Sequence, residues 1–297
     1  MTARRWRSGA WTIVGAALAL VLTSFGDARA DAVAKRGRYL VESIMACGGC
    51  HTPKGPQGKP IPGRTLAGGI VFDTPAFLAQ APNITPDRQT GIGSWTDAEI
   101  KRALVDGIRA KSGAPLAGIM PSNFYKALTP DDLEAIVTHL RRSSPVRSQS
   151  IDTVYRMPAR HDVYPDAAGP YTQATLRDPV TRGRYLATLG HCMECHTPRA
   201  AGGLDYANSL GKGGRSFGVP KGAPPGTKPT IARNITAHRT AGIGDWTDAQ
   251  IKRAITKGVS RDGTALKPPM PFASYAKMTR TDLDALVAWL RTVPPRE

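Results

Sequence analysis

Cys47-Gly48-Gly49-Cys50-His51 decides the reading of this chain, and Cys192-Met193-Glu194-Cys195-His196 repeats it. Two thiols two residues apart sit on one turn of chain. Each can add to one vinyl group of a haem, and the His that follows is then held under the iron as its proximal nitrogen ligand. Cys47, Cys50, Cys192 and Cys195 are therefore expected to attach two covalently bound haem c groups, with His51 and His196 as iron ligands. A redox dithiol and half a zinc site share the Cys-x-x-Cys spacing. Neither requires a His directly after both pairs. The chain has four Cys, all within the two motifs, so none remains for a disulfide.

At 297 residues the chain has room for about two domains. Residues 1–30 should not count toward them: Arg4, Arg5 and Arg7 precede an apolar stretch from Ala10 to Leu22, and Ala28-Arg29-Ala30 closes it with small residues. That order is expected of a cleaved secretory signal peptide. The apolar run is shorter than the roughly 20 residues a spanning helix needs. The mature protein is accordingly expected in the periplasm, where c-type haem is attached. The full chain carries a formal +17, and residues 1–30 hold four Arg against one Asp, leaving +14. Such a charge suits docking to acidic faces of a redox protein donor and acceptor, or association with an anionic membrane surface. Nucleic acid is not the expected partner, because the Lys and Arg are dispersed rather than clustered in a run.

The chain is one unit written twice. Gly37-Arg38-Tyr39-Leu40 recurs as Gly183-Arg184-Tyr185-Leu186, and Asn83-Ile84-Thr85 as Asn234-Ile235-Thr236. Thr90 to Asp106 matches Ala241 to Lys257, Met120-Pro121 matches Met270-Pro271, and Leu133 to Arg141 matches Leu283 to Arg291. The offset is 145 at the Cys and 151 at the Asn, so the second unit carries a loop six residues longer after its motif. The boundaries expected are a signal peptide over 1–30, a first unit over 31–143, a linker over 144–179 and a second unit over 180–297.

Each unit reads as helical. Helices over 33–46 and 180–191 lead into the two motifs. Thr96-x-x-Glu99 and Thr247-x-x-Gln250 are capping boxes, which start helices over 97–106 and 248–257 that end at Gly107 and Gly258. Thr129-Pro130 places a cap and then Pro at the first helical position. Leu133, Ile136, Val137 and Leu140 then form a one-sided stripe, repeated by Leu283, Leu286, Val287 and Leu290. No alternating strand pattern stands out. The Gly/Pro-rich stretches 52–82 and 197–233 are long for loops of a compact fold; wrapping a haem explains them.

The order Asn-Ile-Thr, Gly-Ile-Gly-x-Trp-Thr, Met-Pro and a last helix ending in Leu-Arg, with His191 to Arg199, resembles the cytochrome c subunits of membrane-associated bacterial alcohol, aldehyde and gluconate dehydrogenases. Those subunits typically carry three haem motifs, and this chain has two. The resemblance implies an all-α fold: two tandem class I cytochrome c domains with long haem-wrapping loops. It also implies Met120 and Met270 as distal iron ligands, 69 and 74 residues after their His and each before a Pro. His139, His161 and His238 are the rivals. Trp95 and Trp246 read as core indoles or as donors to a haem propionate, and Asn83 and Asn234 as residues shaping the loop at the haem edge. The function implied is a periplasmic dihaem electron carrier, free or as a subunit of a dehydrogenase complex, delivering electrons to a respiratory acceptor. The alternative is a dihaem enzyme of peroxidase or thiosulfate dehydrogenase type with one open haem.

Overall fold

The computed structural model describes residues 28–159, 163–219 and 225–297. The basic and apolar parts of the expected signal peptide lie outside them, and residues 28–30 open the first helix. That helix, α1, runs over 28–42 and α2 over Gly48–His51. The second unit repeats the pair as α6 (Pro179–Leu189) and α7 (Cys192–His196). Between the members of each pair the chain reverses through one left-handed residue, Ala46 at φ 48° and His191 at φ 39°. This is a helix C-terminal stop, and it turns the first Cys of each motif back toward the helix just ended.

The capping boxes do what their residues dictate. Thr96 accepts from the Glu99 amide and opens α3 (Asp97–Asp106), which stops at Gly107 with φ 66°. Thr247 and Gln250 open α8 (Asp248–Lys257), which stops at Gly258 with φ 63°. Short helices α4 (Ser122–Tyr125) and α9 (Phe272–Tyr275) follow Met120-Pro121 and Met270-Pro271. The last helices are α5 (Pro130–Arg142), capped by Thr129, and α10 (Arg280–Leu290), capped by Thr279. Their stripes are buried at Ile136, Val137 and Leu140 and at Leu286, Val287 and Leu290.

The first glycine of each Gly-Arg-Tyr-Leu is a crossing point. A Cβ on Gly37 would lie 1.8 Å from the Ala135 carbonyl oxygen of α5, and one on Gly183 would lie 2.0 Å from that of Ala285 in α10. Only a residue without a side chain lets these backbones approach so closely.

The all-α expectation is corrected. Strands β1 (Val71–Asp73) and β2 (Phe77–Gln80) form an antiparallel hairpin, and β3 (Val154–Tyr155) adds to it as a third strand in the order β1-β2-β3. A second small sheet pairs β4 (Arg199–Ala200) with β5 (Gly203–Leu204). The cause is the backbone of the Gly/Pro-rich loop, whose polar groups need partners. Thr74 turns the hairpin, its Oγ1 accepting from the amides of Ala76 at 3.2 Å and Phe77 at 3.1 Å. Strands of two to four residues are too short to display alternation, and β3 comes from distant sequence.

The six-residue insertion of the second unit falls in the matching hairpin. Val71 pairs with Gln80, nine residues on, whereas its counterpart Ser216 pairs with Ile231, fifteen residues on. The start of the linker pairs with the first unit through β3, and its later part packs between α4 and α6, with Tyr164, Ala167 and Leu176 buried.

The helices of both units share one buried cluster, running from Leu40, Val41 and Ile44 through Phe124 and Tyr125 to Tyr185, Leu186 and Met193. Polar groups cross in a matched way at its edge. Arg36 grips Asp132 of its own unit through Nε and Nη2, both at 2.8 Å, and Tyr185 of the other unit donates to the same carboxylate at 2.6 Å. Arg182 donates to Asp282 of its own unit at 2.5 Å, and Tyr39 of the other unit donates to it at 2.5 Å. Ile44, just ahead of the first motif, packs on Gly190, just ahead of the second. Among the described residues no helix is long and apolar enough to cross a membrane.

Candidate haem sites

All four Cys are free thiols. Cys47 and Cys192 pack half-buried against the cluster, and desolvation there, with their partner Cys second, pushes both thiols up to about 12. Burial also raises Cys50. A redox dithiol needs a depressed thiol pKa, so this setting is wrong for one. Among the described residues no group of three or more His, Cys, Asp or Glu is arranged to hold a metal ion directly. An apolar seat with two thiols and one imidazole fits a haem held by thioethers.

Each His is fixed by a distant carbonyl. His51 Nδ1 lies 2.8 Å from the Pro82 carbonyl oxygen, and His196 Nδ1 lies 2.7 Å from that of Arg233. A carbonyl only accepts, so Nδ1 carries the proton and Nε2 keeps its lone pair free for a metal. Burial holds both imidazoles below their ordinary value, hence neutral, as a ligand must be. The chain beyond each motif folds back to hold it. Gly68 donates to the His51 carbonyl at 2.9 Å and Gly213 to that of His196 at 2.7 Å. Thr52 Oγ1 accepts from the Leu66 amide at 3.0 Å, and Thr197 Oγ1 from that of Gly211 at 3.2 Å.

The carbonyls of Pro82 and Arg233 stand directly before Asn83 and Asn234. Asn83 is 2% exposed, and its side chain uses every donor and acceptor it has. Nδ2 donates to the Val146 carbonyl at 2.7 Å and to Thr90 Oγ1 at 3.1 Å. Oδ1 accepts from the Thr85 amide at 2.9 Å and the Thr85 hydroxyl at 2.8 Å. The half-buried Asn234 repeats three of these four bonds, with Arg296 and Thr236. The asparagines thus bind the segment leaving the last helix.

The Leu-Arg that ends each last helix also acquires a job the sequence did not reveal. Arg141 donates to the Ile92 carbonyl at 3.1 Å and to the Trp95 carbonyl, and Arg291 does the same to Ile243 at 3.1 Å and Trp246 at 2.5 Å. Each Arg therefore clamps the Gly-Ile-Gly-x-Trp turn of its own unit. The indoles of Trp95 and Trp246 are half-buried against the core, as are Met120 and Met270 in their loops.

Two of the rival histidines have described surroundings. His139 is buried against Gly37 on α5, where α10 has Trp289. His238 Nδ1 accepts from the Ala241 amide at 3.1 Å and shapes a turn. His161 lies outside the described residues. His191, on the second motif, sits 3.0 Å from Glu194 Oε2, and although burial lowers it, bonds to Cys195 and Glu194 lift it to about 9.

Residues 180–294 match the family model for cytochrome c. The chain is similar to the cytochrome c subunit of a quinone-type alcohol dehydrogenase of Gluconobacter oxydans, 28% identical over 95% of this chain and 60% of that one. It is 33% identical to the fructose dehydrogenase cytochrome subunit of Gluconobacter japonicus, over 88% of this chain and 52% of that one. A dihaem c-type cytochrome of Cereibacter sphaeroides is 28% identical over 84% of this chain and 83% of its own length. The chain thus spans little more than half the length of the two dehydrogenase subunits. Residues 180–294 thus match the cytochrome c model, and the chain as a whole is similar to cytochrome c subunits of dehydrogenases and to a dihaem cytochrome c.

Proposed function

We propose that this chain is an electron-transfer haem protein with two haem c groups, passing electrons from a dehydrogenase to a respiratory acceptor. Cys47 and Cys50 hold one group and Cys192 and Cys195 the other. His51 and His196 are the proximal ligands and Met120 and Met270 the distal ones. When bound, the haem supplies a one-electron iron couple. A His and a Met from the chain would hold each iron, which would keep substrate off the metal, and the Met thioether would raise the potential. The observation that carries this reading is the matched pair of imidazoles, each with Nδ1 on a carbonyl and Nε2 free.

Relatives named as cytochrome subunits of alcohol, fructose and gluconate dehydrogenases support a dehydrogenase partner. The signal-peptide pattern supports the periplasm, and the excess of positive charge supports docking to acidic faces or to an anionic membrane surface.

Intact mass and a pyridine haemochrome assay are expected to give two haems per chain. Met120→Ala and Met270→Ala should each open one iron to carbon monoxide, while the wild-type protein should bind it at neither. A wild-type haem that binds carbon monoxide quickly or turns over peroxide would overturn the carrier reading and favour a dihaem enzyme.

A further inference from the structure

We propose that Asn83 and Asn234 are positioning residues that set the electron-donating strength of the two proximal histidines. The inference rests on the reading of His51 and His196 as iron ligands. Each asparagine acts through the carbonyl immediately before it. The peptide plane that carries the Pro82 oxygen ends at the Asn83 nitrogen, which donates to Ser150 Oγ at 3.3 Å. The buried Asn83 side chain makes four bonds around that plane, to Val146, Thr90 and Thr85. With all four sites engaged, the residue has no freedom to rotate, and the Pro82 oxygen is held 2.8 Å from His51 Nδ1.

The second unit builds the same device from different chain. Asn234 Nδ2 donates to the Arg296 carbonyl at 2.6 Å, and its Oδ1 accepts from the Thr236 amide at 2.9 Å and hydroxyl at 2.7 Å. The Arg233 oxygen then lies 2.7 Å from His196 Nδ1. In the first unit the tethered strap is the start of the linker, and in the second it is the stretch after α10. A bond to Nδ1–H makes an imidazole more basic. A more basic ligand favours the oxidised iron and lowers the potential. Loosening the carbonyl should therefore raise it.

The test uses the mature dihaem protein. Asn83→Ala is expected to raise the midpoint potential of the haem at Cys47 and Cys50 and leave the other unmoved; Asn234→Ala is expected to do the converse. The hyperfine-shifted ring-proton signals of the corresponding His, assigned by isotope labelling of histidine, should move with the potential. If the alanine variants do not fold, Asn83→Asp keeps the acceptor for Thr85, removes the donors to Val146 and Thr90, and should shift the same haem. Potentials that stay in place in a folded variant, or that move together at both haems, overturn the proposal. Wild-type spectra lacking ligated-imidazole signals from residues 51 and 196 would instead defeat the ligand reading itself.

Discussion

Replacing Tyr39 and Tyr185 by Phe removes the two phenol hydroxyls that cross between the units and changes little else in shape. Tyr185 is 1% exposed and donates at 2.6 Å to Asp132, a side chain only 3% exposed. Tyr39 donates at 2.5 Å to Asp282, whose side chain is 1% exposed, and also accepts from the Thr279 amide at 3.2 Å. A hydrogen bond to a carboxylate of this kind contributes about 1.5–3 kcal/mol. Arg36 touches both sites, binding Asp132 and lying 5.5 Å over the Tyr39 ring, so the effects couple, and their sum of about 3–6 kcal/mol is an upper figure. The exposed Lys277–Glu42 pair at 3.1 Å also bridges the units, but such a pair contributes about 1 kcal/mol at most. The assay is urea unfolding of the haem-loaded protein, followed by haem absorption and by far-ultraviolet circular dichroism. In the wild type the shared core should make all signals change together. In the double variant the midpoint should drop, and the transitions of the two haems should begin to separate. A double variant that loses under about 1 kcal/mol would refute the argument, because the crossed bonds would then be incidental to a union made by the apolar cluster alone.

Gly183→Ala should destabilise by about 3 kcal/mol or prevent folding, since overpacking at a backbone crossing has no flexible side chain to move aside; a variant with an unchanged urea midpoint would show that α6 and α10 do not cross there. His139 is held below its ordinary 6.5 chiefly by burial and then by Arg38, with Glu42 opposing. Its contribution to stability is thus intact above the unfolded value and lost as pH falls through the folded one, so His139→Phe should flatten the decline in stability between about pH 7 and 5; an unchanged slope would remove His139 as its source. Electron transfer with an acidic partner should slow as salt rises past about 0.1 M, where charges more than about 10 Å apart are screened; a flat salt profile would count against electrostatic docking.

Much of the candidate site was proposed from signals that are local. Cys47, Cys50 and His51 lie within one turn, where bond geometry fixes their relation. Thr96 with Glu99 and Thr247 with Gln250 satisfy amides three residues away, so α3 and α8 could be bounded from the residues alone. The hairpin of β1 and β2 was hidden because its strands are too short to alternate, and β3 because it returns from the linker. The acceptors of the His51 and His196 imidazoles lie 31 and 37 residues downstream, on a Pro and an Arg whose side chains carry no hint of the contact. Backbone carbonyls are the same at every position, so only the folded path selects them.

The twofold repeat was certain from the sequence, but its use was not. Arg36 and Tyr39 lie one helical turn apart on α1, yet Arg36 binds Asp132 of its own unit and Tyr39 binds Asp282, 243 residues away. Two copies of one motif present the same donors and acceptors in both units. Which donor meets which acceptor depends on how the apolar faces of the copies dock, and that is a property of the whole core rather than of either stretch of sequence.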